Sequence, residues 1–222
     1  MAIEQVSLAG LKAYLDSVKV TRGIEEVVLH HTWSPTAAQY RGKVTWDAIR
    51  DYHVNVRGWS DIGYHFGAAK DGSIWKLRPV TRAGAHVLNR NEHTVGMVLI
   101  GNFDVEDPMA NGLPLAAQVV AVVVERFQLK LASVRFHREF QDKTCPGTRI
   151  ELAAFREMVG AASQSRLSPK IILLPQNSVV ECRAEVSDGV TRCDLRPLAT
   201  ALGCRVTDHL ADQGKVYLER VL

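Results

Sequence analysis

Apolar residues recur along the chain with two different periods, which predict helices and strands in alternation. Over residues 8–18 they fall every three or four positions, the spacing of a helix with one buried face. Residues 24–30 form a continuous apolar, β-branched run, so they predict a buried strand that ends at two histidines. Helical spacing returns over residues 45–56, with Thr45 as the predicted N-cap and Gly58 as the stop.

A tight turn at Asp71-Gly72 separates two further predicted strands, residues 62–69 and 73–77, which should form an antiparallel hairpin. The remaining pattern predicts strands over residues 94–101 and 133–137 and helices over residues 115–129 and 150–160. The predicted strands thus form one sheet with helices packed against it, and the hairpin makes that sheet mixed rather than purely parallel. The predicted fold class is α/β, with a mixed central sheet flanked by helices.

A change of composition after the last predicted helix indicates a domain boundary. The segment AASQSRLSP, residues 161–169, is small and polar and ends in a proline, which is typical of a linker. We therefore expect a first domain over residues 1–162, a linker over residues 163–169 and a second module over residues 170–222. Predicted strands at residues 170–174, 179–186 and 216–221 and a predicted helix at residues 195–202 make the second a small α+β module.

Composition and charge narrow the classes of partner. With 46% hydrophobic and 23% charged residues, the chain has the balance of a globular protein. A formal net charge of +3 without runs of like charge does not indicate a nucleic-acid surface. The sequence shows neither a signal-peptide pattern at its start nor the ~20 apolar residues of a membrane helix, so we expect a product made in the cytoplasm, with no membrane partner.

Three side chains of metal-binding type fall at predicted strand ends or shortly after them. Catalytic zinc usually takes three protein ligands and keeps a fourth position open. His30 or His31 ends one strand, His137 ends another, and Cys145 follows eight residues later. The spacing leaves alternatives open, since a strand-end histidine is often only hydrogen-bonded and a cysteine is often a small buried hydrophobe. A zinc site is therefore one hypothesis from the residues alone.

Six ordered motifs resemble one known family. They are VVLHHTWSP, GWSDIGYHF, KDGSIWKLRP, GAH, NEHTVGMVLIGNF and FHREFQDKTCPG. Together they resemble the type-2 N-acetylmuramoyl-L-alanine amidases, the family of phage amidase lysozymes and peptidoglycan recognition proteins, over about residues 24–155. The resemblance implies the fold of that family, one zinc ion and peptidoglycan as the partner.

The resemblance also implies the roles of individual residues. The zinc ligands would be His30, His137 and Cys145, and because non-catalytic recognition proteins of the family typically lack the cysteine, its presence predicts an enzyme. Tyr64 and Lys143 would be catalytic, with Lys143 stabilising the developing oxyanion and Tyr64 orienting or relaying a proton.

Three further histidines lie near these motifs. His86 and His93 are substrate-contact candidates, because the family lines its cleft with the loops around GAH and NEH. His65 should point to the opposite face of its strand from Tyr64 and be structural.

The activity implied by the resemblance is hydrolysis of the amide bond between N-acetylmuramic acid and L-alanine in peptidoglycan. Its simplest setting is a phage or prophage endolysin, made in the cytoplasm and acting on the cell wall after release or export. Two other readings stay open, a non-catalytic peptidoglycan-binding module and a cytoplasmic amidase that recycles soluble muropeptides.

The second module carries a separate resemblance. Its segment DGVTRCDLRPLATALGCRVTDHLADQGKVYLERV, mainly through LRPLATALG and the strand that follows, is similar to the copper amine oxidase amino-terminal-like, or stalk, domains that accompany some bacterial wall proteins. That resemblance implies wall targeting or self-association into a homo-oligomer, and its name implies no copper here. A plain stabilising appendage is the alternative.

Overall fold

The computed structural model describes the backbone of residues 3–167 and of six strands between residues 170 and 220, and the side chains of residues 3–164. The chain divides into two compact units, Met1–Ser163 and Gln164–Leu222. In the part of the chain that the structure describes, no helix is long and apolar enough to cross a membrane.

The first unit is built on one six-stranded sheet. Its strands are β1 (Glu4–Val6), β2 (Glu26–His31), β3 (Phe66–Ala68), β4 (Ile74–Lys76), β5 (Thr94–Leu99) and β6 (Val134–Phe136). They lie in the order β1-β4-β3-β5-β2-β6. The pairs β3-β5, β5-β2 and β2-β6 are parallel, whereas β4 runs antiparallel to both of its neighbours. The predicted mixed sheet and its hairpin are confirmed, and β1 was missed by the sequence pattern.

Four α-helices accompany the sheet within the described residues, at α1 (Leu8–Ser17), α2 (Lys43–Asp51), α3 (Leu113–Arg126) and α4 (Leu152–Leu167). The predicted N-cap of α2 was wrong. Its N-cap is Gly42, and Thr45 is buried one turn inside, where its hydroxyl accepts a hydrogen bond from the Arg41 N–H at 2.7 Å. After Asp51 the helix continues as one π-helical turn, Tyr52–Val56.

Helix α4 extends through most of the predicted linker. It was expected to stop at residue 160 but continues to Leu167. Alanine and glutamine in residues 161–164 suit a helix, and the first residue that opposes one is Pro169, which disfavours helical backbone at the position before it. A small and polar composition was therefore not enough to predict irregular backbone in this linker segment.

Apolar side chains of β5 alternate between two cores, one on each face of the sheet. Val95 and Met97 belong to the core under α1, α3 and α4. Val98 belongs to the other core, beside Trp46 of α2. Because His30 of β2 is paired with Val98 and Leu29 with Met97, the register places His30 on the α2 side of the sheet.

Beyond the end of α4, the second unit consists of three antiparallel strand pairs where the structure describes it. These are β7 (Lys170–Leu173) with β8 (Ser178–Glu181), β9 (Ala184–Ser187) with β10 (Val190–Cys193), and β11 (Cys204–Leu210) with β12 (Lys215–Arg220). The single strand predicted over residues 179–186 is thus divided between β8 and β9. The predicted helix at residues 195–202 lies outside the described residues.

Candidate metal centre

His30, His137 and Cys145 come together at the carboxyl ends of β2 and β6. One ligand-type atom from each lies within 4.8 Å of those of the other two, and all three residues are buried. Cys145 Sγ is 3.7 Å from His30 Nδ1, and the two imidazole rings have centroids 4.5 Å apart. The three residues named by the motifs therefore form one cluster.

The parallel pairing of β2 and β6 explains why the two histidines meet. Leu29 is paired with Phe136, so the residues that follow them along the chain, His30 and His137, lie beside each other. Leu29 and Phe136 point into the core under α3 and α4. Since successive side chains of a strand point to opposite faces, His30 points to the other side of the sheet. His137 begins a 3-10 turn directly after β6, and its ring packs against the ring of His30 there.

Backbone contacts fix the loop that carries Cys145. The Arg138 N–H donates to the Cys145 carbonyl at 2.8 Å, and the Arg138 guanidinium donates to the carbonyls of Gly147 and Ile150 at 2.7 and 2.6 Å. The His31 N–H lies 3.4 Å from Cys145 Sγ and donates to it. These contacts hold the thiol toward His30 and supply a donor that favours its thiolate form.

Asp104 ties the same loop to the end of β5. Its carboxylate accepts from the Thr144 hydroxyl at 2.8 Å and from the Thr148 N–H at 2.9 Å. Between them, Gly147 has φ +117°, and a Cβ there would lie 2.6 Å from Phe103 Cβ. The turn therefore requires glycine.

Both histidines of the cluster use their other ring nitrogen for a hydrogen bond. His30 Nε2 is 3.0 Å from His86 Nδ1, and His137 Nε2 is 3.1 Å from Gln141 Oε1. Such bonds commonly orient metal-binding histidines and leave the opposite nitrogen for the ion. Two imidazoles, one thiol and an open side toward the cleft fit the three-ligand pattern of catalytic zinc.

Burial sets the protonation of these groups. It lowers the pKa of His30 well below its ordinary value, with the neighbouring His86 and His137 adding to the effect, and it lowers the pKa of His137 as well. Neutral imidazoles are the form that binds a metal. Burial also raises the pKa of the Cys145 thiol to about 12, partly opposed by the His31 N–H and Lys143. A bound divalent cation would reverse that shift, because it deprotonates a coordinating thiol.

A cleft of about 380 Å³ opens over the cluster. It is lined by His30, His31, Trp33, Tyr64, His137, Lys143, Thr144 and Cys145. The Tyr64 ring lies 5.1 Å from the His30 ring, and burial raises the pKa of its hydroxyl. Tyr64 and Lys143, predicted as catalytic, thus line the same cleft as the three metal-type ligands.

The structure does not bring the two predicted substrate-contact histidines to this cleft. His86 is buried behind His30, in contact with its ring. The His93 side chain is 54% exposed, and its Nδ1 hydrogen-bonds to the Gly23 carbonyl at 3.1 Å. Position near a motif indicated proximity to the site but not the direction in which each side chain points.

Two other residues lie near the site, one predicted to be structural and one missed. His65 packs against the buried His86, with ring centroids 5.7 Å apart, and its Nδ1 accepts a hydrogen bond from the Gly96 N–H at 2.9 Å. Trp33 was not singled out, although it follows the strand-end histidines directly. It is 61% exposed at the cleft and has φ +58°, an uncommon backbone conformation for a bulky residue.

Sequence comparisons relate the chain to amidases and recognition proteins. The family described as N-acetylmuramoyl-L-alanine amidase matches residues 20–148. Peptidoglycan-recognition protein LB of Drosophila melanogaster is 36% identical over 128 residues, 56% of this chain and 55% of that protein. An endolysin of Klebsiella phage KP32 is 35% identical over 101 residues, 44% of this chain and 66% of the endolysin. The match thus spans about half the length of the first relative.

Solved structures agree with the fold. The structure of Drosophila peptidoglycan-recognition protein LB has a TM-score of 0.53 at 32% identity, covering 60% of this chain and 79% of that one. The endolysin of Thermus scotoductus bacteriophage Ph2119 has a TM-score of 0.51 at 25% identity, covering 62% and 85%. Because the family match also covers more than half of the sequence, the chain belongs to the N-acetylmuramoyl-L-alanine amidase family.

Proposed function

We propose that the chain is a zinc-dependent amidase that hydrolyses the bond between N-acetylmuramic acid and L-alanine in peptidoglycan. The observation that carries the proposal is the cluster of His30, His137 and Cys145, with ligand-type atoms within 4.8 Å of one another at the base of a cleft. When bound there, zinc supplies a Lewis acid that polarises the amide carbonyl and activates water.

Residues of the cleft supply the remaining chemistry. Lys143 places a positive charge at the rim, where it can stabilise the negative charge that develops on the amide oxygen. Tyr64 keeps its proton at neutral pH, since its ordinary pKa lies far above 7 and burial raises it further, so it acts as a hydrogen-bond donor beside His30. In this position it orients the reacting group or relays a proton to the leaving amine.

The biological setting that we propose is that of an endolysin, released or exported to the cell wall. It is supported by similarity to the endolysin of Klebsiella phage KP32. Because related recognition proteins share the fold, a wall-binding protein without turnover is the competing function. The presence of Cys145 beside the two histidines favours the enzyme over the binding protein.

The test measures zinc content and the release of new L-alanine amino groups from purified peptidoglycan. We expect one zinc per chain and steady release by the wild type, and loss of both in Cys145→Ser. Zinc binding without release would leave the binding function. Absence of zinc after reconstitution would contradict the proposal, and faster cleavage of soluble muropeptides than of intact sacculi would indicate recycling instead of lysis.

A further inference from the structure

The imidazole of His86 occupies a space that two glycines leave open. A Cβ on Gly96 would lie 2.7 Å from His86 Cδ2, and a Cβ on Gly84 would overlap the same atom. The N–H groups of His86 and Val87 donate to Asn91 Oδ1 at 2.8 and 3.0 Å. The ring is buried and its backbone is anchored, so its orientation behind His30 is fixed by the surrounding chain.

A chain of hydrogen bonds runs from His30 through His86 to a backbone carbonyl. His30 Nε2 is 3.0 Å from His86 Nδ1, and His86 Nε2 is 3.3 Å from the Thr94 hydroxyl. That hydroxyl is in turn 2.9 Å from the Arg90 carbonyl and donates to it. All three side chains in the chain are buried.

The hydrogen bond from Thr94 to the Arg90 carbonyl fixes the direction of every other hydrogen bond in this series. Thr94 has one hydroxyl hydrogen, and the Arg90 carbonyl can only accept, so Thr94 must accept from His86. His86 therefore carries its proton on Nε2 and accepts at Nδ1 from the Nε2–H of His30. A neutral His30 protonated on Nε2 has its lone pair on Nδ1, the nitrogen that faces Cys145.

We propose that His86 is a positioning residue, which holds His30 in the Nε2–H tautomer and so presents the Nδ1 lone pair for a metal ion. The opposite direction of the chain would place a proton on Nδ1, between His30 and Cys145, where it would block coordination. This role differs from the substrate contact expected for His86 from the sequence. It rests on the proposed zinc site and deepens it.

Two substitutions at residue 86 separate the hydrogen bond from the packing. His86→Phe keeps an aromatic ring but removes the acceptor, whereas His86→Asn keeps an acceptor near the position of Nδ1. We expect His86→Phe to bind zinc about 10–100-fold more weakly, the usual effect of losing an outer hydrogen-bond partner. His86→Asn should recover most of the affinity. Zinc affinity is measured by competition with a chromophoric chelator, and the ligand geometry by the absorption spectrum of the cobalt(II) form.

Two further variants test the same chain away from the ring itself. Thr94→Val removes the acceptor at His86 Nε2 with little change of shape and should weaken zinc binding less than His86→Phe. Gly96→Ala should displace the ring and weaken zinc binding in the wild type, but should add nothing to His86→Ala. Equal effects of Gly96→Ala in both backgrounds would overturn the inference.

Each outcome distinguishes this inference from the proposed function. A wild type that binds no zinc contradicts the proposed function itself. A wild type that binds zinc, with His86→Phe equal to it in affinity and cobalt spectrum, overturns only the role of His86. If His86→Phe does not fold, judged by circular dichroism and melting, Thr94→Val and Gly96→Ala decide, and unchanged zinc affinity in both then overturns the role of His86.

Discussion

The three residues of the cluster differ in whether each must lose a proton before it can bind a metal. His30 and His137 are neutral near pH 7, because burial lowers both pKa values, and need lose none. Cys145 holds its proton, because burial raises its pKa to about 12. Zinc binding is therefore coupled to the loss of the Cys145 proton.

This coupling predicts how zinc affinity depends on pH. Below a thiol pKa of about 12 the proton competes with zinc, so affinity falls as pH falls, and the histidines, whose pKa values burial lowers, stay neutral and do not alter this between pH 7 and 8. We expect the Kd for zinc to rise about tenfold for each unit of decrease in pH. Calorimetry in buffers of different ionisation enthalpy checks the proton release. A pH-independent Kd across this range would contradict it.

Trp33 combines exposure at the cleft with a backbone conformation that disfavours its side chain. Its φ of +58° costs about 1–2 kcal/mol in an L-residue and is relieved by glycine. At 61% exposure its ring loses few contacts on removal. We therefore expect Trp33→Gly to melt within a few degrees of the wild type while raising KM for peptidoglycan fragments, with Trp33→Phe intermediate in KM. A large loss of melting temperature with unchanged KM would assign the ring to stability instead.

Sequence motifs predicted which residues surround the cleft better than they predicted side-chain direction. His30, Tyr64, His137, Lys143 and Cys145 all line one cleft, as the motifs implied. His86 does not, because its direction depends on the two glycines that adjoin its ring and on the hydroxyl of Thr94. Contacts of that kind do not show in the periodicity of apolar residues, so the sequence pattern could not predict the direction of the His86 side chain.

At the scale of elements, the strength of the apolar pattern decided which predictions were accurate. The run that ends at His30 forms β2, and the buried helical run forms α3 at Leu113–Arg126. Strand β1 spans three residues, too few to show a period, and it is held by pairing with β4 across seventy positions of sequence. The start of α2 was misplaced because Thr45 accepts a backbone hydrogen bond without being the cap.

Close packing between β3 and α2 gives a prediction at this scale. A Cβ on Gly67 would lie 2.8 Å from Trp46 Cζ2, and Trp46 is fully buried. We expect Gly67→Ala to lower the free energy of unfolding by about 1–3 kcal/mol, the usual cost of overpacking a core. Gly23→Ala is the matched control, since its Cβ would meet nothing closer than His93 Nδ1 at 4.0 Å. Chemical denaturation compares the two, and equal losses would contradict the packing argument.

At the scale of the whole molecule, the cluster and its cleft belong entirely to the unit Met1–Ser163. A chain ending at Leu167 keeps α4 whole. We expect it to retain zinc binding and turnover of small soluble substrates but to bind insoluble peptidoglycan more weakly than the full chain. Sedimentation with purified walls measures the binding, with both chains carrying Cys145→Ser so that turnover does not interfere. Equal loss of binding and turnover would make residues 168–222 part of the catalytic fold.

The parallel pairing of β2 with β6 has a consequence for how the protein folds. His30 and Cys145 are 115 positions apart, so their meeting closes one of the long loops of the first unit, a slow and entropically costly event in folding. During synthesis His30 leaves the ribosome long before His137 and Cys145. A metal-binding site therefore arises only with the native topology, and an ion that binds only the folded chain increases the ratio of folded to unfolded chains once its concentration exceeds its Kd.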